Sequence, residues 1–474
     1  MPEPRTWQVA AGSAVLGLAL AAGAVAAAGP WDSGQRKAER ALAVSTDGRG
    51  GTHHAGAPGA AAPLRPAPAP SAAGVLRALG GAPRAAGITR SGDDLAAVLV
   101  PLLADPGLGP LRTASVVDTA TGRQLYGEGA STPMTPASTV KIATTAAALS
   151  ALGPDHRIAT TTVASPDHRT VTLVGGGDPT LDRTRLKALA DATARALKAH
   201  GAAPAPVRLG YDTSLYKGPR LHPIGPNENL APVAALMTDE GRLDDSRSGP
   251  APRAGDPAAD TATTFAALLE DAGVTVQGPP RPAKAPQGAP LARTDSAPLA
   301  DLVERTLTHS DNDLAEALAR QTALARRQPA SFAGAEKAVH DELARLGLPL
   351  AGTRFADGSG LDRRDRVSAA LLTGILTRAA DPARPALRPV LTGLPVGGFS
   401  GTLAGRFGSG AAASGAGLVR AKTGTLTGVN TLAGTVVTAD GRLLAFAFLA
   451  GRTSSPDSAQ PALDRLSAAL APPR

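Results

Sequence analysis

The chain has 474 residues, no cysteine and a formal net charge of +8. Without cysteine there are no disulfides, thiolate metal sites, cysteine nucleophile or lipoprotein-type anchor. The positive charge favours anionic neighbours such as lipid head groups or wall polymers. Lysines and arginines are scattered, however, and only three Tyr and two Trp could stack on bases. We therefore expect no nucleic-acid binding.

An apolar run occupies residues 9–28, inside a stretch without charge from residue 6 to residue 31. Its length suits a signal peptide or a single membrane span, and a buried core helix is the less favoured alternative. We expect residues 1–30 to be a signal peptide or membrane anchor, so that the protein is extracytoplasmic. Residues 31–90 are rich in Pro, Ala and Gly and predict a disordered linker.

Ordered structure is expected from about Asp93 onwards. Residues 95–103 predict a helix, and residues 114–118 and 123–126 predict two strands around a turn-rich segment. Residues 138–152 predict a helix with a serine at its start.

The pattern changes between residues 165 and 296. A strand at 171–174 runs into three glycines, and apolar residues at 186–197 share one helical face. Residues 218–229 show no period and contain three prolines, which predicts a loop. The region reads as a smaller domain or a set of insertions.

Helices are predicted again at residues 299–308 and 314–325. A hairpin follows, with strands at 431–437 and 443–450 around an Asp-Gly turn, and residues 463–470 predict a closing helix. Helices on both sides of late antiparallel strands indicate an α+β fold.

The first chemical motif is Ser138-Thr139-Val140-Lys141. Positions i and i+3 of a helix share a face, so the Lys141 amine can lie beside the Ser138 hydroxyl. A serine hydroxyl needs a nearby base to become a nucleophile, and a desolvated lysine loses its proton more readily. Alone, this spacing is common at the starts of surface helices.

The second motif, Ser310-Asp311-Asn312, lies between two predicted helices. A second hydroxyl can relay a proton to a leaving amine, and a carboxamide can hold a peptide backbone. Its default interpretation is a helix N-cap.

The third motif, Lys422-Thr423-Gly424-Thr425, lies on a predicted strand at 418–425. A lysine and hydroxyls at a strand edge can bind a carboxylate, and the glycine leaves room for a substrate lying along the strand.

S-x-x-K, S-D-N and K-T-G in this order form the signature set of penicillin-binding proteins and serine β-lactamases. Four further stretches narrow the resemblance: GGGDPTL at 175–181, YDTSL at 211–215, DGSGL at 357–361 and FSGTLAGRF at 399–407. Residues 93–470 thus resemble the D-alanyl-D-alanine carboxypeptidase/endopeptidase family, the class C low-molecular-mass penicillin-binding proteins.

This resemblance implies a transpeptidase/β-lactamase-like fold, with an antiparallel sheet between helical layers and an inserted smaller domain. The catalytic domain would comprise residues 91–164 and 297–474, and the insertion residues 165–296. Ser138 and Ser310 are 172 residues apart, which is short for the family, so one inserted domain is expected to be reduced or missing.

The resemblance also implies roles for the motif residues. Ser138 would form the acyl-enzyme with Lys141 as general base, and Ser310 and Asn312 would pass protons and hold the peptide. The residues of the third motif would bind the substrate carboxylate, namely Lys422, Thr423, Gly424 and Thr425. The backbone N–H groups of Ser138 and Thr425 would form the oxyanion hole.

The implied activity is that of a penicillin-sensitive serine D-Ala-D-Ala carboxypeptidase, with endopeptidase activity left open. Its partners would be peptidoglycan stem peptides, and β-lactams would inhibit it covalently. Asp178 and Asp357 are interpreted as turn residues.

Two alternatives remain at this stage. A serine β-lactamase shares the three motifs but often adds an E-x-x-L-N stretch after S-D-N, which is absent here. A catalytically silent wall-binding protein would be expected to lose one of the motif residues. No metal or cofactor is expected, because the eight histidines form no ligand motif such as H-E-x-x-H.

Overall fold

The computed structural model describes residues 92–199 and 206–472. The expected export segment, 1–30, and the expected linker, 31–90, both lie outside the described residues. Across the two described ranges, no helix combines the length and apolar character needed to span a bilayer.

The elements follow in chain order. The helices are α1 (Gly92–Leu103), α2 (Lys141–Leu152), α3 (Arg183–Ala199), α4 (Pro257–Asp271), α5 (Leu299–Thr308), α6 (Asn312–Ala325), α7 (Phe332–Arg345), α8 (Ala369–Ala380), α9 (Pro389–Thr392) and α10 (Pro456–Ala468). The strands are β1 (Leu111–Asp118), β2 (Gln124–Glu128), β3 (Ala159–Ala164), β4 (Thr170–Val174), β5 (Arg208–Asp212), β6 (Arg281–Pro282), β7 (Ala292–Asp295), β8 (Val419–Leu426), β9 (Val429–Val437) and β10 (Leu443–Gly451).

The main sheet has the strand order β2-β1-β10-β9-β8, and every pair in it is antiparallel. The first strand of the described residues, β1, pairs along its whole length with β10, from Leu111 opposite Gly451 to Asp118 opposite Leu444. Both predicted hairpins, β1–β2 and β9–β10, are present. Strand β8, which carries the third motif, lies at one edge.

Helices cover both faces of this sheet, as the resemblance implied. Alternate residues of a strand point to opposite faces, and along β10 Ala445 and Ala447 pack with helices α2, α5, α6, α7 and α8. Phe446 and Phe448 pack on the other face with helices α1 and α10. The predicted α+β class is therefore confirmed.

The inserted region has a second, mixed sheet with the order β6-β5-β4-β3-β7. It has its own apolar core, in which α3 and α4 pack against the strands. The sequence boundaries put the insertion at residues 165–296, whereas the sheet already begins at Ala159 with β3, which pairs with β7. The division into domains stays a prediction.

Two element starts differ from expectation. Ser138 lies on a 3-10 turn, Ala137–Val140, and the α-helix proper begins at Lys141. The last helix begins at Pro456 rather than at residue 463, because Ser455 caps it by accepting a hydrogen bond from the Ser458 amide.

Candidate active site

The candidate nucleophile, Ser138, is half-buried on the turn that leads into α2. The preceding residue, Ala137, has φ +47°, a left-handed conformation that residues other than glycine rarely adopt. Hydrogen bonds hold this strained turn, since the hydroxyls of Thr139 and Thr431 both donate to the Pro136 carbonyl, at 2.7 and 2.8 Å. Strain held by its surroundings is common at functional sites.

The Lys141 amine is fully buried and has three oxygen neighbours. Its Nζ lies 3.1 Å from Ser138 Oγ, 2.7 Å from Asn312 Oδ1 and 2.5 Å from the Ser359 carbonyl oxygen. The two carbonyl-type oxygens can only accept, so they take two N–H groups of the amine. An uncharged amine then has its lone pair directed at the Ser138 hydroxyl.

Burial makes that uncharged form accessible. Desolvation lowers the pKa of Lys141 to about 8, against opposing contributions from the nearby carboxylates, Asp357 first among them. A substantial fraction of Lys141 is therefore unprotonated just above neutral pH and can accept the Ser138 proton.

The second motif lies at the junction of α5 and α6. Asp311 caps α6 by accepting from the Leu314 amide at 3.0 Å, and Arg305 Nε donates to the same carboxylate at 3.1 Å. The cap places Asn312 on the first turn of α6, where Oδ1 accepts from Lys141 and Nδ2 donates to the Asn229 carbonyl at 3.0 Å. Asn312 thus joins the base to the inserted region.

Ser310 precedes this cap with φ +59°, a second strained position in the site. Its place in the chain, two residues before Asn312, brings it to the site. Within the described part of the chain, hydrogen bonds connect the Lys141 amine to Ser138 and Asn312 but not to Ser310.

Lys422 of the third motif is also fully buried. Its Nζ donates to the Thr423 carbonyl at 2.9 Å. Burial, with a further contribution from the charge of Lys141, holds the pKa of Lys422 well below its usual range. The two lysines are therefore close enough for the charge on one to affect the pKa of the other. The Thr423 hydroxyl is 2.9 Å from the Thr402 hydroxyl, which ties the strand to the FSGTLAGRF stretch.

Gly424 has a different role from the one expected. A Cβ at this position would lie 2.2 Å from Thr431 Oγ1 and 2.6 Å from the Pro136 carbonyl oxygen. The space left by the missing side chain is thus filled by protein atoms and is not open to substrate. Gly424 allows β8 to pack directly against the turn that carries Ser138.

The outer edge of β8 is half covered. Its first half bonds to the preceding loop, since Gly397 N–H donates to Val419 O and Ala421 N–H donates to Pro395 O, both at 2.9 Å. Backbone groups on one edge of a strand recur at every second residue. The backbone groups of Thr423 and Thr425 therefore point to this same outer edge, and Thr425 is exposed.

Two contributors to the site escaped sequence reasoning. Ser359 supplies a backbone carbonyl, a group that every residue has, so only the DGSG pattern drew attention to its segment. Glu316 accepts from the amides of Gly358 and Ser359, both at 3.0 Å, and lies inside an ordinary helix pattern. Asp178 is a turn residue as interpreted, accepting from the amide and hydroxyl of Thr180.

Two clusters in the described residues have ligand atoms close enough to surround a metal ion. One comprises Glu240, Asp311 and Asp313, which bond to Arg242, Arg305 and Arg253. The other comprises His222, Glu316 and Asp357, of which Glu316 pairs with Arg320 at 3.0 Å. A guanidinium beside each cluster disfavours a cation there.

The fold of this chain is similar to that of a solved structure. A penicillin-binding protein 4 structure from Haemophilus influenzae superposes with a TM-score of 0.66 at 24% identity, covering 78% of this chain and 98% of that one. This likeness shows that the chain has the fold of that protein.

Sequence comparison gives the family. The profile of the D-Ala-D-Ala carboxypeptidase 3 (S13) family matches residues 95–252 and 245–470. A carboxypeptidase, DacB, of Mycolicibacterium smegmatis is 37% identical over 432 residues, covering 86% of this chain and 90% of its own. A carboxypeptidase of Mycobacterium tuberculosis is 36% identical, covering 84% of this chain and 87% of its own.

The chain belongs to the D-Ala-D-Ala carboxypeptidase 3 (S13) family. It is a serine-type D-Ala-D-Ala carboxypeptidase. This membership confirms the resemblance and favours the carboxypeptidase over the β-lactamase and the silent wall-binding protein.

Proposed function

We propose that the enzyme removes the terminal D-Ala from peptidoglycan stem peptides through an acyl-enzyme on Ser138, with Lys141 as general base. The observation that supports this most directly is the geometry of the buried Lys141 amine. In the uncharged amine, both N–H groups donate to Asn312 Oδ1 and the Ser359 carbonyl oxygen. The lone pair of Nζ then faces Ser138 Oγ, which lies 3.1 Å from Nζ.

In the acylation step, Lys141 takes the Ser138 proton while Oγ attacks the carbonyl carbon of the penultimate D-Ala. The tetrahedral intermediate then collapses with cleavage of the peptide bond. The proton held by Lys141 then passes to the leaving amine of the terminal D-Ala, with the Ser310 hydroxyl as the relay. Water hydrolyses the ester and regenerates Ser138. The Asn312 side chain holds the Lys141 amine in place and would also contact the substrate peptide.

Lys422, Thr423 and Thr425 are the groups that would bind the substrate's terminal carboxylate. Lys422 is fully buried and has no acidic partner among the described residues, which favours its neutral form, and an incoming carboxylate would supply a counter-charge. Charge-assisted hydrogen bonds of this kind are stronger than neutral ones. The enzyme would therefore select peptides that end in a free carboxylate.

The oxyanion hole would consist of the backbone N–H groups of Ser138 and Thr425. Support comes from the alternation along β8, which directs the Thr425 backbone to the open outer edge, and from Gly424, which brings that strand against the Ser138 turn. Donors held in place before reaction stabilise developing charge without reorganisation. A substrate peptide would add to the edge of β8 as an extra strand.

β-Lactams would acylate Ser138 by the same route. A cross-link whose leaving residue carries a free α-carboxylate satisfies the same Lys422 contact, so we include endopeptidase activity in the proposal. Cell-wall substrates require an extracytoplasmic enzyme, and the apolar run at residues 9–28 would act as its signal peptide or membrane anchor.

Intact mass after incubation with benzylpenicillin tests the proposal, together with D-Ala release from a stem pentapeptide. A persistent single adduct on the wild type, absent from Ser138→Ala, is expected. Rapid drug turnover without an adduct would indicate a β-lactamase. No adduct and no D-Ala release by folded protein would contradict the proposal.

A further inference from the structure

His222 lies in the loop at residues 218–229 of the inserted region, yet it is only 2% exposed. Its Nε2 is 2.9 Å from Asp357 Oδ2, and its Nδ1 accepts from the Ile224 amide at 3.3 Å. Because Nδ1 accepts a hydrogen bond, the ring proton is on Nε2. His222 therefore donates to Asp357. The ring also packs edge-on against Phe332, with centroids 5.4 Å apart.

Asp357 organises the turn of the DGSG stretch. Its carboxylate accepts from the Gly360 amide at 2.6 Å, the Asp362 amide at 2.7 Å and the Ser359 hydroxyl at 3.1 Å. Burial raises the pKa of this carboxyl, but the hydrogen bonds that it accepts, the one from His222 above all, overcome that effect and hold the pKa at about 2. The carboxylate thus remains ionised, and as an anion it can accept all of these donors.

The turn contacts the Lys141 side chain and the backbone of the turn that carries Ser138. The Ser359 carbonyl accepts from Lys141 Nζ at 2.5 Å. A Cβ on Gly360 would lie 2.1 Å from the Ala137 carbonyl oxygen and 3.0 Å from the Ser138 amide nitrogen. A shift of this turn would therefore move the acceptor that orients the Lys141 lone pair.

A metal ion is the competing explanation for a buried histidine between two carboxylates. The ligand atoms of His222, Glu316 and Asp357 are close enough for one. Each carboxylate is instead saturated by protein donors, and Arg320 pairs with Glu316 while stacking over Phe332 at 4.2 Å. A cation would have to displace these bonds and would be repelled by the guanidinium.

We propose that His222 is a positioning residue for the base: the inserted region donates one hydrogen bond to Asp357, and this bond fixes the carbonyl that orients Lys141. The inference rests on the proposed role of Lys141. It gives the insertion a part in acylation itself, separate from any contact with the substrate.

The test compares two near-isosteric variants of the full chain. His222→Gln keeps an N–H donor at the position of Nε2, whereas His222→Met keeps the volume without a donor. Stopped-flow acylation by benzylpenicillin gives the dissociation constant of the initial complex and the acylation rate constant separately. His340→Ala, on the exposed face of α7, is the control.

We expect His222→Met to lower the acylation rate constant about 10- to 100-fold, as loss of an orienting outer partner does elsewhere. The dissociation constant should stay near the wild-type value, and His222→Gln should recover most of the rate. Equal rates in the two variants, or two variants that fail to fold by thermal melting, would overturn the positioning role. A wild type that is not acylated would instead contradict the proposed function.

Discussion

Lys141 and Lys422 are two fully buried lysines in one site, and the charge of Lys141 contributes to lowering the pKa of Lys422. Two like charges in a poorly solvated site repel each other strongly. Simultaneous charge on both amines is therefore disfavoured. In the proposed mechanism, a substrate carboxylate would supply a counter-charge for Lys422 and leave Lys141 uncharged and able to act as a base.

The first prediction concerns pH. In the proposed mechanism, acylation needs unprotonated Lys141, whose pKa burial lowers to about 8. The second-order rate of acylation by benzylpenicillin should rise about tenfold per pH unit well below 8 and level off above it. The measurement is the rate between pH 6 and pH 10, with circular dichroism showing that the protein stays folded. A rate independent of pH over this range would exclude Lys141 as the titrating base.

The second prediction uses Asn312, whose Oδ1 is 2.7 Å from the Lys141 amine. Asn312→Asp places a negative charge there with little change of shape. A nearby negative charge favours the charged lysine, so the pKa of Lys141 should rise. The acidic limb of the pH–rate profile of acylation should then move to higher pH by about one unit or more. At pH 7 the variant should be slower, and part of that loss should be recovered at pH 9.5.

Asn312→Ala provides the comparison, because it removes the same contact without adding charge. Its acid limb should not move upward. An Asn312→Asp limb at the wild-type position would mean that this side chain does not interact electrostatically with the titrating group.

The third prediction concerns Lys422. Lys422→Met should lower kcat/KM for a peptide ending in D-Ala–D-Ala by about 10- to 100-fold, the range expected for a lost charged hydrogen bond. The same peptide with a C-terminal amide should be a poor substrate for the wild type and should lose little further. Lys337→Met, an exposed lysine paired with Asp341, is the control. Equal losses on acid and amide peptides would count against carboxylate recognition.

The fourth prediction concerns Gly360, which has φ +85° and no space for a Cβ beside Ala137. Gly360→Ala should lower the free energy of unfolding by about 1–3 kcal/mol and slow acylation as well, because the turn must move away from Ser138. Gly255→Ala is a matched control, since no atom lies within 4 Å of its added Cβ. Urea denaturation and acylation rates measure both effects. If Gly360→Ala has the unfolding free energy and acylation rate of the wild type, the turn can accommodate a Cβ without moving Ser138, which would contradict this prediction.

Much of the fold could be predicted because local patterns agree with the final packing. The β9–β10 hairpin has an Asp-Gly turn between two apolar runs, and the helix after Ser138 is rich in Ala and Leu, which favour helix formation. The start of α10 was missed because its first turn is polar, and only Ser455 with Pro456 marks it. The edge position of β8 depends on long-range pairing, which the strand itself does not encode.

The site was predictable where chemistry needs a particular side chain at a short spacing. Ser138 and Lys141 are three residues apart, so a single helical turn brings them together. His222 is 135 residues from Asp357, and its surroundings in the sequence look like an ordinary proline-rich loop. The Ser359 carbonyl could not be found either, because a backbone oxygen has no signature in the sequence.

The pairing of β3 with β7 places Ala159 opposite Asp295, so the chain enters and leaves the inserted region at neighbouring points. A segment with adjacent ends can be gained or lost in one genetic event without breaking the surrounding sheet. Such a loss would remove two hydrogen bonds to residues around the proposed base, since the Asn229 carbonyl accepts from Asn312 and His222 donates to Asp357. A minimal enzyme engineered by deleting residues 159–295 would retain the three motifs and would still lack the contacts that align them.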